Sequence, residues 1–188
     1  MKATEKSCMP ETNDCIERAK RGDTQAFRLL VEQHQGQVRA MARSMLGAVP
    51  EADDVAQEVF IRLHQALPDF RGDAKLSTYL SRIAINLSLN ELKRRKRKGR
   101  WLTFTRSDGP ELQVEDTAAR PERQDLQDAL QQAMQQLGPE FRAVVTLRLM
   151  KGYSVKETAD ILGLPQGTIA SRLARAQQKL RLILEPWL

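Results

Sequence analysis

Three groups of side chains in this chain have the types and spacing to do chemistry. Near the C-terminus, Thr168, Ser171, Arg172 and Arg175 follow the break Gly163-Leu164-Pro165. At 100° per residue, Ser171, Ala174, Arg175 and Gln178 share one side of a helix, while Ile169, Leu173, Ala176 and Leu180 share the other. A small, basic side lets a helix approach base edges closely: serine can bond a base or phosphate, and arginine can pair with guanine or phosphate. Arg172, flanking that side, is placed to grip phosphate. The same arginines could also simply solvate an exposed helix. The second group is residues 93–100, KRRKRKGR, with seven basic residues in eight. Such a run fits nucleic-acid phosphates through a strongly salt-dependent attraction. The third is the acidic cluster Glu51, Asp53, Asp54 and Glu58. It can oppose the dipole of a helix N-terminus, but it has no second ligand cluster with which to hold a metal. His34, His64, Cys8 and Cys15 are too few and too scattered for a zinc site or a disulfide framework. Reduced thiols, no metal and no cofactor are expected.

Helices must position these groups, because apolar residues recur at three and four spacings and strand-type alternation is absent. A short helix is expected over Ile16 to Lys20, ending at Arg21-Gly22. Asp23 or Thr24 caps a longer helix to about Leu46, with Phe27, Leu30, Val31, Val38, Ala42 and Met45 inward. After Pro50 a third helix repeats Val55, Val59, Leu63 and Leu67. The turn 68–73 follows, and a fourth helix from Ser77 or Thr78, with Leu80, Ile83, Ala84 and Leu87 inward, runs into the basic stretch. Periodicity disappears between Gly99 and Pro121. It returns in a helix from Glu122, with Leu126, Ala129, Leu130, Ala133, Met134 and Leu137 on one side. Ser154-Val155-Lys156-Glu157 fits a capping box, and the two helices around Gly163-Leu164-Pro165 match a helix-turn-helix whose second helix reads the major groove.

The fold class expected is therefore all-α: two small helical domains joined by an acidic linker. The boundaries are a disordered start (1–12), a first domain (13–98), a linker (99–121) and a second domain (122–188). The second has a size at which a core is marginal without help. Of the formal net charge of +6, the basic run supplies +7 and the remainder of the 188 residues sums to −1, so the basicity is local. Residues 107–128 carry −5. No apolar run reaches the roughly 20 residues of a membrane span and no signal peptide is evident, so a cytoplasmic protein without membrane insertion is expected.

The successive segments GDTQAFRLLVEQH, EADDVAQEVFIRLHQAL, DFRGDAKLSTYLSRIAINLSLNELKRRKR and YSVKETADILGLPQGTIASRLARAQQKL resemble, in order and spacing, the bacterial group IV, or extracytoplasmic function (ECF), sigma factors of the sigma-70 family. The likeness covers nearly the whole chain. It implies a region 2 domain, a linker and a region 4 domain in an alternative sigma factor that joins core RNA polymerase, is not itself an enzyme, and is held inactive by an anti-sigma factor. It places Asp53, Asp54, Gln57 and Glu58 on the helix that docks on the clamp helices of the polymerase beta-prime subunit, with the beta subunit a further contact. It makes the turn from Asp69 to Ser77 the loop that captures a base flipped from the minus 10 element, with Phe70, Arg71, Tyr79 and Asn86 involved in binding and melting, and Asn86 reading the base. Lys93, Arg94 and Arg95 would hold duplex phosphates or the displaced strand. Thr168, Ser171, Arg172, Ala174 and Arg175 would contact the minus 35 element of promoter DNA. The chain departs from the pattern at Tyr79, where relatives often carry tryptophan, and at Ala170 and Ala174, where some carry an arginine and an aromatic residue. Two other functions are weighed: a freestanding helix-turn-helix regulator, and a small nuclease or recombinase, for which the ligand set is missing.

Overall fold

The computed structural model describes residues 12–72, 75–105 and 123–185, and among them there is no strand. The expected disordered start, apart from Thr12, which opens α1, and most of the acidic linker lie outside those residues. Helices α1 (Thr12–Lys20), α2 (Thr24–Leu46), α3 (Pro50–Ala66) and α4 (Leu76–Thr105) form the first module. Helices α5 (Arg123–Gln136), α6 (Pro139–Val145), α7 (Val155–Leu162) and α8 (Gln166–Leu184) form the second. A single π turn, Thr146–Met150, extends α6.

Local chemistry accounts for the boundaries. Gly22 adopts a φ of 89°, a conformation that suits glycine and turns the chain out of α1. Asp23 then caps α2: its Oδ1 accepts from the amides of Gln25 (2.9 Å) and Ala26 (3.0 Å), while its Oδ2 receives Arg18 Nη2 at 2.8 Å. These bonds, the Ala26 amide foremost, hold the carboxyl below its ordinary range. α3 starts instead with Pro50 in its first turn and no side-chain cap, so Glu51 and Asp53 answer its dipole. Although periodicity fades at Gly99, α4 continues to Thr105, carried on from its buried half through the good helix formers of residues 93–98.

α2 is the centre of the first module. Leu30, Val38, Met41, Ala42 and Met45 meet Val59 and Leu63 of α3 and Leu80, Ala84 and Ile85 of α4, all essentially inaccessible to water. The second module has two smaller clusters. Ala133, Met134, Leu137, Val145, Ala176 and Leu180 form one, and Val144, Ala159 and Ile169 the other. Ala143, Leu147, Tyr153 and Ile161 of the same module belong to the first module's core. Burying Leu147 and Ile161 there contributes on the order of 2 kcal/mol each. The help that so small a unit needs thus comes from its neighbour. One inward residue is corrected: Leu130 is 42 % exposed although Ala129, Ala133, Met134 and Leu137 are buried. α5 also turns a polar edge, Gln131 and Gln135, onto α2, and this rotation leaves Leu130 uncovered.

Candidate nucleic-acid interface

The turn after α3 is a short 3-10 segment, Leu67–Asp69, that anchors on buried Leu67 and leads into Phe70. Phe70 packs on Tyr79 with ring centroids 5.3 Å apart and planes inclined at 57°. In front of Tyr79 lies an open cavity of about 390 Å³ lined by Arg62, Gln65 and Ala66 of α3 and by Tyr79, Ile83 and Asn86 of α4. Tyr79, Ile83 and Asn86 follow the three and four spacing, so one helix face presents an aromatic wall, an apolar floor and an amide. The exposed Asn86 amide can donate and accept together. Arg71 is exposed and turns away from this cavity. With Lys75 and Lys20 it rims a neighbouring hollow of about 590 Å³ that His34 also lines. His34 is 8 % exposed, its Nε2 has no partner, and burial lowers its pKa, so it is neutral.

The basic run is less free than its composition suggests. Arg94 donates to Glu91 at 2.6 Å and 2.9 Å, and Arg95 is shared between Glu91 (3.1 Å) and Glu51 (3.2 Å). The two arginines, Arg94 foremost, depress the Glu91 pKa. Arg95 therefore ties α4 to α3. Lys93, Lys96, Arg97 and Lys98 are exposed. The acidic cluster likewise divides. Asp53 is bound to α2 through Arg39 (3.2 Å) and Arg43 (3.2 Å). Asp54 and Glu58 line a groove with Arg62, Asn90, Arg94 and Arg97, and Gln57 is exposed. Asp53 thus faces away from the groove that Asp54 and Glu58 share.

In the second module the capping box is complete: Ser154 Oγ accepts from the Glu157 amide at 3.1 Å, and the Ser154 amide donates to Glu157 Oε2 at 2.8 Å. α7 closes at Gly163, left-handed at φ 65°, and α8 opens after Pro165. Ile169, Ala176 and Leu180 are buried, which leaves Ala170, Ser171, Ala174, Arg175 and Gln178 exposed and Thr168 and Arg172 half-buried. Ser171 Oγ donates to the Thr168 carbonyl at 3.0 Å, so its lone pairs face outward ready to accept. Arg175 has an exposed side chain on the same face.

A helical bundle with an aromatic cavity, coupled to a helix-turn-helix that shows a small basic face, defines a two-module nucleic-acid-reading protein. The family descriptions Sigma-70 region 2 and Sigma-70 region 4 match residues 30–98 and 127–180. The chain is 38 % identical over 181 residues to the RNA polymerase sigma-H factor of Pseudomonas aeruginosa, covering 92 % of this chain and 93 % of that one. It is 34 % identical over 179 residues to the ECF RNA polymerase sigma-E factor of Escherichia coli, covering 88 % and 90 %. Among solved structures it is similar to CnrH in complex with the cytosolic domain of CnrY (TM-score 0.67, 26 % identity, 93 % of this chain and 97 % of that one). It is also similar to the sigma factor RpoE in complex with the anti-sigma factor NepR from Bartonella quintana (TM-score 0.67, 25 % identity, 85 % and 96 %). The chain belongs to the ECF sigma factors of the sigma-70 family, and its function is that of an alternative sigma factor in transcription initiation.

Sequence reasoning missed the α3 wall of the aromatic cavity, Arg62, Gln65 and Ala66. The signal was available in part, since α3 and α4 are joined by the Phe70 turn and must lie side by side. It also missed the polar contacts between the modules: Ser44 with Thr146, Ser81 with Tyr153, and Arg142 with α2.

Proposed function

We propose that the protein joins core RNA polymerase and reads the minus 10 element with the cavity of Tyr79, Ile83 and Asn86, the minus 35 element being read by Ser171 and Arg175 with Thr168, Arg172 and Ala174 beside them. The observation that carries this reading is the convergence of an aromatic ring and a free amide in a cavity large enough for one nucleobase. Extruding a base costs a few kcal/mol, which stacking on Tyr79 and pairing with the Asn86 amide would replace. Phe70 stiffens Tyr79 from behind, and Arg71, Lys93 and the exposed remainder of the basic run supply phosphate contacts. Arg95 acts chiefly by holding α4 to α3 through Glu51, and Arg94 by fixing Glu91 within α4. Asp54, Gln57 and Glu58 present a polar face for a basic helix pair of the polymerase, with Asp53 setting the angle between α2 and α3.

The protein performs no chemistry of its own; the bond-forming step belongs to the polymerase. Its place of work is the cytoplasm, a reading supported by its family and compatible with the finding that no described helix is long and apolar enough to cross a membrane. The solved complexes of its relatives with CnrY and NepR support an anti-sigma partner for this chain as well. Run-off transcription from a genomic promoter library, with core polymerase and with or without the purified protein, tests the whole reading. Transcripts starting at fixed sites only when the protein is present are expected. Binding of duplex DNA without core, and no such transcripts while a control sigma factor works, would instead show a freestanding regulator.

A further inference from the structure

The aromatic cavity has one charged side chain in its wall. Among the described residues Arg62 is the sole cation lining it; Arg71 turns away, and Lys93 stands about 10 Å beyond Asn86 along α4. Arg62 also lines the groove of Asp54, Glu58, Asn90, Arg94 and Arg97, and it is the one described residue that the two hollows share. Its place follows from helix geometry. Glu58, Arg62, Gln65 and Ala66 keep the three and four spacing on α3, so they form one stripe along the α4 side, with the groove at one end and the cavity at the other. Arg62 Nε donates to Glu58 Oε1 at 2.8 Å, and no other hydrogen bond of this guanidinium is found among the described residues, so both terminal nitrogens are open. The two side chains are 52 % and 41 % exposed, and an ion pair of that exposure one helical turn apart biases an equilibrium only about twofold.

A nucleobase that enters the cavity brings a charged backbone with it. Tyr79 can stack on the base and Asn86 can pair with it, but neither answers a phosphate. A guanidinium does so best, because its planar fork gives a phosphate two parallel bonds. Arg62 can make this contact without any movement of α3. Rotation about its own side-chain bonds carries the guanidinium from Glu58, one turn toward the helix N-terminus, to the cavity mouth beside Gln65 and Ala66, one turn the other way. The exchange has a second effect. Glu58 is one of the acids that face the polymerase, and the carboxylate that Arg62 leaves regains its full charge.

We propose that Arg62 is the phosphate contact of the cavity: it exchanges Glu58 for the phosphate of the captured nucleotide and leaves Glu58 free for the polymerase. The proposal rests on the base-reading and docking assignments above. Its first test is the salt dependence of holoenzyme binding to a promoter fragment whose minus 10 segment is held open by mismatches. Arg62→Gln should lower the slope of log affinity against log salt by about 0.7, the value of one phosphate on a single strand, whereas Arg62→Lys should keep it. Replacing single phosphates by neutral methylphosphonates should locate the partner: one position flanking the captured nucleotide should cost the parent holoenzyme about fivefold and the Arg62→Gln holoenzyme less than twofold. An unchanged slope, or equal costs in both proteins at every position, overturns the proposal. The second test is core affinity without DNA. Arg62→Gln should bind core about twofold more tightly than the parent, a gain that disappears when Glu58→Gln is also present. A residue that merely supported the fold would weaken both partners, so equal or weaker core binding by Arg62→Gln overturns the exchange. Base preference at the captured position is read on the same fragments. A reduced slope together with a preference that Asn86→Ala does not alter would keep Arg62 as a phosphate contact and place the failure in the base-reading assignment.

Discussion

Replacing Arg142 by methionine tests whether a buried cation without a carboxylate partner stabilises this fold. The guanidinium donates to the Met45 carbonyl, to Gln135 Oε1 (2.6 Å), to the Gln135 carbonyl (2.6 Å) and to the Leu137 carbonyl (2.9 Å), while its Nε has no partner. Burial, with Arg95 adding repulsion, lowers its pKa, so the charge itself is unfavourable where it sits. Methionine removes that cost but strands three carbonyls, each worth about 1 to 3 kcal/mol when a buried acceptor goes unmet. Taking about 1.5 kcal/mol for each of the three carbonyls, and subtracting about 1.5 kcal/mol for the relief of desolvation, the net loss is about 3 kcal/mol. If both modules melt as one unit, thermal unfolding followed by circular dichroism should show a fall in Tm of about 6 to 12 °C. Arg142→Lys should recover less than half of this, because an ammonium cannot span the forked set of acceptors. An Arg142→Met protein as stable as the parent would refute the reasoning, since desolvation would then outweigh the four bonds.

Three further outcomes are expected. Asn86→Ala should lower promoter opening by roughly 5- to 150-fold, the equivalent of about 1 to 3 kcal/mol for a lost base contact, while leaving core binding intact; unchanged permanganate reactivity of the melted bases would remove Asn86 from base reading. Arg175→Ala should weaken protection of the minus 35 element by a similar factor in footprinting with holoenzyme, and protection equal to that of the parent would remove the assignment. Acidification should destabilise the protein in two stages. His34 has its pKa lowered by burial from an ordinary 6.5, so above that pH it is neutral in both states and contributes no slope. As the pH falls through 6.5 the unfolded chain takes up a proton that the folded one resists, and stability declines. A second decline begins near 4.5, where Glu91 and Glu157, held ionised by Arg94 and by the Ser154 amide, favour folding only while charged. His34→Gln should flatten the first stage in pH-dependent urea titrations; an unaltered profile would show that His34 does not cause it.

What could be read from the residue pattern was whatever depends on near neighbours in the chain. The Asp23 cap, the Ser154–Glu157 box and the buried row Val55, Val59, Leu63 and Leu67 need only local geometry, and each is present in the structure. The alignment of Tyr79 with Asn86 was equally open to a periodic reading, and the structure puts both on one cavity. Pairing partners were not legible. Asp53 reads as an exposed helix-start acid until Arg39 and Arg43 arrive from α2, and Arg95 reads as one of seven alike until Glu51 and Leu46 distinguish it. Ser44, Ser81 and Arg142 look like surface residues by type, and only the meeting of the modules buries them. No periodicity within either half encodes how one half sits on the other.

The thirty residues of α4 make a single rod about 45 Å long at about 1.5 Å per residue. Its first half carries Tyr79 and Asn86, and the middle carries Asn90, Arg94 and Arg97 on the groove shared with Asp54 and Glu58. The two stations are therefore locked in rotational phase. One residue inserted between Asn86 and Asn90 would turn one station by about 100° against the other without disturbing either taken alone. Evolution can thus retune the cavity or the groove side chain by side chain, but it cannot change the length between them by less than a near-whole number of helical turns. Tyr79, Asn86, Asn90 and Arg94 form a ruler as much as a set of contacts.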